Sequence, residues 1–338
     1  MSVSYPVAVL VVVAATVAIW KGSDWLEGAS DRLATYYGLP QVVQGAVVSA
    51  VGSSFPELAS VVFAGLAGSL ELGVGAIVGS AIFNVLVIPA TAGVATEGDI
   101  EASRALVYKE AQFYMLAVSV LLITFAFAVI YYPVEGQTLH GEVTRPLALI
   151  PLALYGLYIF IQAQDTADHE SEADASGIDP RRQWAVLAAG LVVILVAVEQ
   201  LVGQVEAVGL ALGVPQFLLG VTIVAAATSL PDTLVSVRAA KDDRGVASLA
   251  NVLGSNTFDL LVAIPVGVML VGRTGIDFAM AVPMFAALTA ATVLLFTVLR
   301  TEMTLSRLES YLLLCAYTVF VAWVLAEVSG VVTGILPG

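Results

Sequence analysis

Apolar runs recur from one end of the chain to the other, separated by short polar connections. Each run reaches about 20 residues, enough to cross a hydrocarbon core of about 30 Å as a helix. The pattern predicts ten spans, near 3–20, 39–68, 73–95, 110–132, 146–162, 184–206, 210–238, 246–271, 276–299 and 309–333. The first lacks a basic segment ahead of it, so it reads as a span and not as a cleaved leader. The expected fold class is an all-α polytopic membrane protein with ten transmembrane helices.

A second pattern lies over the first. Sliding the chain on itself by 175 positions aligns Gly38-Leu39-Pro40-Gln41 with Gly213-Val214-Pro215-Gln216, and Gly45 with Gly220. It also aligns Gly52-Ser53-Ser54-Phe55-Pro56-Glu57 with Ala227-Thr228-Ser229-Leu230-Pro231-Asp232, and Gly79-Ser80-Ala81-Ile82-Phe83-Asn84 with Gly254-Ser255-Asn256-Thr257-Phe258-Asp259. Five spans separate equivalent points, and five is odd, so the two halves are expected to sit in opposite orientations. The expected organisation is a first five-helix repeat over 1–163, an acidic loop over 164–183 and an inverted second repeat over 184–338. Inverted repeats around a midplane site are a recurrent transporter architecture.

Charge sharpens the topology. Eleven of the thirteen Lys and Arg fall in the odd-numbered connections, and only Arg145 and Arg273 in the even ones. The excess of basic residues marks the cytoplasmic face, which puts the acidic loop inside and both termini outside. The net charge of −14, with no basic patch, gives no reason to expect a nucleic-acid partner. The segment 165–179 holds much of the acid and reads as a solvated linker, since its acids lack a calcium-loop spacing. Hydrophobic residues make up 59% and charged residues 12%, far from a soluble domain. Cys315 stands alone, so no intramolecular disulfide forms. His140 and His169 lie in separate polar connections and are expected to be isolated, which argues against a zinc site. No catalytic residue, cofactor or obligatory protein partner is expected. The partners in view are the lipid bilayer and transported ions.

The candidate chemistry lies in the duplicated clusters. Glu57 and Asp232 fall near the middle of spans two and seven, where a carboxylate is costly, and no Lys or Arg lies mid-span. They need a cation or a proton. Pro56 and Pro231 remove a backbone donor and break the helix, releasing carbonyls around Ala50 to Ser53 and Ala225 to Thr228. Ser80 with Asn84, and Ser255 with Asp259, stand at i and i+4 on one helix face. Gly79 and Gly254 are placed to admit close approach of a neighbouring broken helix. Carboxylates, hydroxyls and carbonyls without Cys, His or Met form a hard ligand set suited to Ca²⁺ and Na⁺.

These motifs, GSSFPEL with GSAIFN and ATSLPDT with GSNTFD, resemble the two repeats of the cation/calcium antiporter superfamily, in particular prokaryotic sodium/calcium exchangers. Gly22-Ser23-Asp24-Trp25 is also similar to prokaryotic members. The resemblance covers nearly the whole chain. It implies that Glu57 and Asp232 coordinate Ca²⁺ and share the Na⁺ sites. It further implies carbonyl or hydroxyl ligands from Ala50, Ser53, Ala225 and Thr228, and Na⁺ ligands from Ser54, Ser80, Ser229 and Ser255. Asn84 and Asp259 would form the central pair, with spans one and six sliding as a gate. Departures are Ser53 for the commoner Thr, Ala81 where Asn is frequent, and Asp232 where many prokaryotic relatives carry Glu. The function implied is secondary-active Na⁺/Ca²⁺ antiport that exports Ca²⁺ by alternating access. H⁺/Ca²⁺ antiport and K⁺-dependent Na⁺/Ca²⁺ exchange on the same scaffold are alternatives, and a cation channel is the rival class.

Overall fold

The computed structural model describes residues 5–38, 50–104, 106–165 and 177–329. Helices dominate them. The first half holds α1 (Tyr5–Tyr36), α2 (Ala50–Ser53), α3 (Phe55–Leu66), α4 (Leu70–Ala95), α5 (Ala111–Tyr131) and α6 (Arg145–Asp165). The second holds α7 (Pro180–Leu212), α8 (Gln216–Leu219), α9 (Ala225–Thr228), α10 (Leu230–Lys241), α11 (Gly245–Phe258), α12 (Ile264–Val271), α13 (Phe278–Arg300) and α14 (Arg307–Val328). Wider π turns join α8 to α9 at Gly220–Val224 and α11 to α12 at Asp259–Ala263. A further one, Leu106–Glu110, precedes α5.

Among the described residues, eight helices are long and apolar enough to cross a membrane, and nine if Gln216–Thr228 and Leu230–Lys241, bent by 44°, count as one span. The α3 helix is apolar but shorter, and most of the chain ahead of it, 39–49, lies outside the described residues. The acidic segment 166–176 and the first copy of the Gly-Leu-Pro-Gln motif beyond Gly38 lie outside them as well.

Two spans form the centre. Within their apolar stretches, 89% of α4 and 83% of the α11–α12 span is buried, against 22–44% for the other long spans. Apart from Ser80 and Asn84, α4 is apolar almost all round over its buried length, as suits a helix surrounded by protein. The α1–α7 pair packs beside this centre in a second cluster, where Ile19, Leu26, Ile194, Val198 and Leu201 meet Leu72 and Ala76 of α4 and Val224 ahead of α9. A Cβ on Gly22 would lie 3.1 Å from the Gly190 carbonyl, so small residues set the approach of these two helices.

Two elements differ from the sequence expectation. α1 continues through Lys21, Asp24 and Arg32 to Tyr36 because no proline stops it, so those charges lie on the helix and not in a loop. The connections also carry two antiparallel ribbons. β1 (Ile100–Glu101) pairs with β4 (Thr304–Leu305), and β2 (His140–Thr144) pairs with β3 (Arg273–Asp277). The second ribbon corrects the expectation that His140 is isolated: it sits opposite Asp277, with Nε2 3.6 Å from that carboxylate.

Chain ends of the helices also meet. Trp184 near the start of α7 donates to the Tyr37 hydroxyl just beyond α1 at 3.2 Å. Ser69, ahead of α4, hydrogen-bonds Glu206 near the end of α7.

Candidate ion-binding site

The prolines act where the sequence places them. Pro56 sits in the first turn of α3 and Pro231 in the first turn of α10, each just past a break at Ser54 and Ser229. Neither proline can donate to the carbonyl four residues earlier, so the chain bends there. Ala225, expected to offer its carbonyl, still accepts from the Ser229 amide at 3.0 Å. The Thr228 hydroxyl also reaches that oxygen at 3.4 Å, so a cation would take the place of this longer contact. Ala50 opens α2. The Thr228 hydroxyl donates back to the Val224 carbonyl at 3.1 Å, leaving its lone pairs available.

The packing brings the two halves together at these breaks. Ser80 and Ser229 lie 2.7 Å apart, and each hydroxyl reaches Glu57 Oε1 at 3.4 Å. Ser53 and Ser255 lie 3.1 Å apart. Asn84 Nδ2 reaches Asp232 Oδ2 at 3.4 Å. The three carboxylates Glu57, Asp232 and Asp259 lie within electrostatic range of one another and are at most 1% exposed. Ten of the twelve expected ligands, all but Ala50 and Ala225, are thus buried polar side chains of α2 to α4, of α9 to α11, of the turns between them and, for Asp259, of the π turn after α11.

Several oxygens in this cluster have no partner: Ser54 Oγ, Glu57 Oε2, Asn84 Oδ1, Asp232 Oδ1 and both oxygens of Asp259. Ser54 lies close to Asp259 without closing a hydrogen bond. Buried acceptors left open are costly, and a cation satisfies them at once. Among the described residues, no three His, Cys, Asp or Glu side chains form a metal cage on their own. Hydroxyl, amide and carbonyl oxygens must therefore complete any coordination shell, which is how hard cations are held.

One residue was missed from the sequence. Asn256 accepts from Asn84 Nδ2 at 2.9 Å and donates to the Ala81 carbonyl and the Tyr114 hydroxyl, each at 3.1 Å. Ala81 and Asn256 are equivalent in the repeat, and they touch each other. The available signal was the asymmetry itself: a polar residue in one copy where the other has a methyl. Replacing Asn256 with Ala is expected to cost about 1–3 kcal/mol, since it removes three hydrogen bonds between buried groups. A lowered thermal midpoint in detergent would report it.

Gly79 behaves as expected. A Cβ there would lie 2.5 Å from Val221 Cα, in the π turn of the broken helix. Beside Gly254 no described atom lies within 4 Å; the chain equivalent to that π turn falls within 39–49.

A family model described as "Sodium/calcium exchanger protein" matches residues 7–164 and 182–326. An uncharacterized membrane protein of Methanocaldococcus jannaschii is 30% identical over 252 residues, covering 74% of this chain and 78% of its own. The sodium/calcium exchanger MaX1 of Methanosarcina acetivorans is 24% identical over 92% of this chain and 96% of its own. A solved structure of the exchanger NCX_Mj, soaked with Na⁺ and without Ca²⁺, has a similar fold. Its TM-score is 0.63 at 24% identity, covering 93% of this chain and 98% of that one.

Proposed function

Because this chain belongs to the sodium/calcium exchanger family, we propose that it is a secondary-active antiporter exporting Ca²⁺ in exchange for Na⁺ by alternating access. The observation that carries the reading is the buried acid cluster. Among the described residues, no ion pair involves Glu57, Asp232 or Asp259. Each ionised carboxylate at membrane depth costs about 2.5–3.5 kcal/mol on insertion scales, so the cluster needs cationic cargo.

Ca²⁺ is assigned to Glu57 and Asp232 with oxygens of Ala50, Ser53, Ala225 and Thr228. Na⁺ is assigned to the flanking hydroxyls Ser54, Ser80, Ser229 and Ser255, which a proton would not need. Asn84 and Asp259 form the central pair. Ca²⁺ and Na⁺ compete for the same carboxylates, so one cargo at a time neutralises the cavity. An empty, fully charged cavity resists crossing the low-dielectric barrier, and that resistance couples the two fluxes. The close pairing of α1 with α7 supports a gate in which these two helices move together.

We infer ten crossings in two inverted halves. The β1–β4 and β2–β3 pairings support it, because paired connections share a membrane face. That requires an even number of spans between them, which holds when Gln216–Lys241 crosses. The stretch before α4 starts beside the beginning of α7, at Tyr37 and Trp184, and finishes beside its end, at Ser69 and Glu206. Since α7 is long and apolar enough to cross a membrane, Tyr37 and Ser69 lie toward opposite faces, which supports a crossing between them. With the basic residues inside, the acidic loop is cytoplasmic and both termini are outside.

The test is ⁴⁵Ca²⁺ uptake into proteoliposomes with Na⁺, K⁺ and H⁺ gradients imposed one at a time. Uptake is expected with the Na⁺ gradient, and its absence there would overturn the proposal. K⁺-dependent exchange is the second reading, for which the two open oxygens of Asp259 leave room for a further cation. Na⁺-driven uptake that requires K⁺ would select it.

A further inference from the structure

Three polar residues on α1 lie outside the duplicated motifs and the site built from them. Ser23, Glu27 and Asp31 follow one another at i, i+4 and i+8, on one face of the helix. Their burial is graded. Asp31 is exposed, Glu27 is half-buried, and Ser23 is 2% exposed with its hydroxyl unpartnered. The face lies along the site. Glu27 Cα is 3.7 Å from where a Cβ on Gly52 would stand, at the α2 break, and Glu27 lies within electrostatic range of Asp232.

Two arginines lie within electrostatic range of this face, Arg238 of Glu27 and Arg244 of Asp31, but neither closes an ion pair with it. Among the described residues Glu27 makes no ion pair. Arg238 on α10 is held by Asp24 at 3.4 Å, with Lys21 on the same carboxylate at 2.9 Å, and Arg244 is held by Asp242 at 3.7 Å. Asp24 thereby keeps a fixed cation off Glu27 and leaves it for a mobile one. The orphan hydroxyl of Ser23, one turn deeper than Glu27, is a second oxygen that only a passing cation or its water would satisfy.

We propose that Asp31, Glu27 and Ser23 form a one-sided entry track that hands cations from the face carrying Tyr37 and Trp184 to Asp232. Glu27 is a relay and not a ligand of the final site. The track rests on the exchange reading above, because it leads to the same carboxylates. A row of acids in a low-dielectric cleft raises the local cation concentration and the rate of entry, and salt weakens the effect.

The test compares wild type, Glu27→Gln and Glu27→Asp in proteoliposomes of sorted orientation, with ⁴⁵Ca²⁺ presented to one face at a time. Glu27→Gln is expected to raise the KM for Ca²⁺ about 5-fold on one face only, the order of an electrostatic entry effect. The other face and the maximal rate stay within about twofold, showing that the protein is folded. Glu27→Asp restores most of the entry rate, and added choline chloride slows wild type more than Glu27→Gln. An unchanged KM on both faces overturns the track. An equal rise on both faces overturns it too, because Glu27 would then belong to the shared site. Wild-type flux in the same vesicles reports separately on the exchange reading: if wild type carries no Na⁺-coupled Ca²⁺, it is that reading that fails.

Discussion

Replacing Glu57 with Gln is expected to abolish Na⁺-driven Ca²⁺ uptake while leaving the protein folded. The geometry says why the amide fails. Oε1 lies 3.4 Å from both the Ser80 and the Ser229 hydroxyls, which share a hydrogen bond, and a glutamine carbonyl can accept from whichever donates to it. Oε2 is the oxygen without a partner. Glutamine puts an NH₂ donor there, which turns two hydrogens toward the place where a cation would sit. Losing one charged ligand in a buried site removes about 3 kcal/mol, or about a hundredfold in affinity. Uptake at about 1% of wild type, with an unchanged gel-filtration profile, is the expected result. Retention of more than about a tenth of the exchange rate would remove Glu57 from the site, since that loss corresponds to only about 1.4 kcal/mol. Glu57→Asp keeps the charge on a shorter arm and is expected to fall between the two.

The largest expected effect on stability comes from Gly79→Ala. Intrinsic helix preference alone would favour alanine by about 1 kcal/mol. Packing opposes it. The new methyl would stand 2.5 Å from Val221 Cα and 2.6 Å from its carbonyl carbon. Those are backbone atoms of a π turn wedged against the central helix, so no rotamer change relieves the overlap. α4 would have to move away from the α8–α10 segment, and the ligands on both would lose their register. The cost is about 3 kcal/mol or more, at the upper end of overpacking penalties. Gly203→Ala on α7 is the control: it is exposed and has nothing within 4 Å, so its effect stays within about 1 kcal/mol. Thermal midpoints of the two variants in the same detergent check the contrast. Similar midpoints would mean that α4 and the broken helix are not locked together at Gly79.

Much of the fold and of the site is legible in the residue pattern. Apolar run length marks the spans, because a bilayer sets a minimum length whatever the packing. The prolines mark where helices break, because a missing N–H is a local property. The duplication and the family resemblance point to twelve site residues. Ten contribute buried polar side chains to the regions around the two breaks, and Ala225 is buried at the second. For Ala50 the structure gives the helix that it opens.

Contacts between distant segments are not legible in that pattern. Asn256 meets Tyr114 across 142 positions, and no local pattern records that meeting. Glu27 comes within electrostatic range of Asp232 only because α1 packs against both broken helices. His140 finds Asp277 through a ribbon joining two connections, which hydropathy treats as plain loops. Residue order alone dictates which groups must be buried in spite of their polarity. Which of them face each other is decided by the tertiary packing. Side-chain neighbours across a bundle depend on helix rotation and depth, and a twenty-residue apolar run leaves both free.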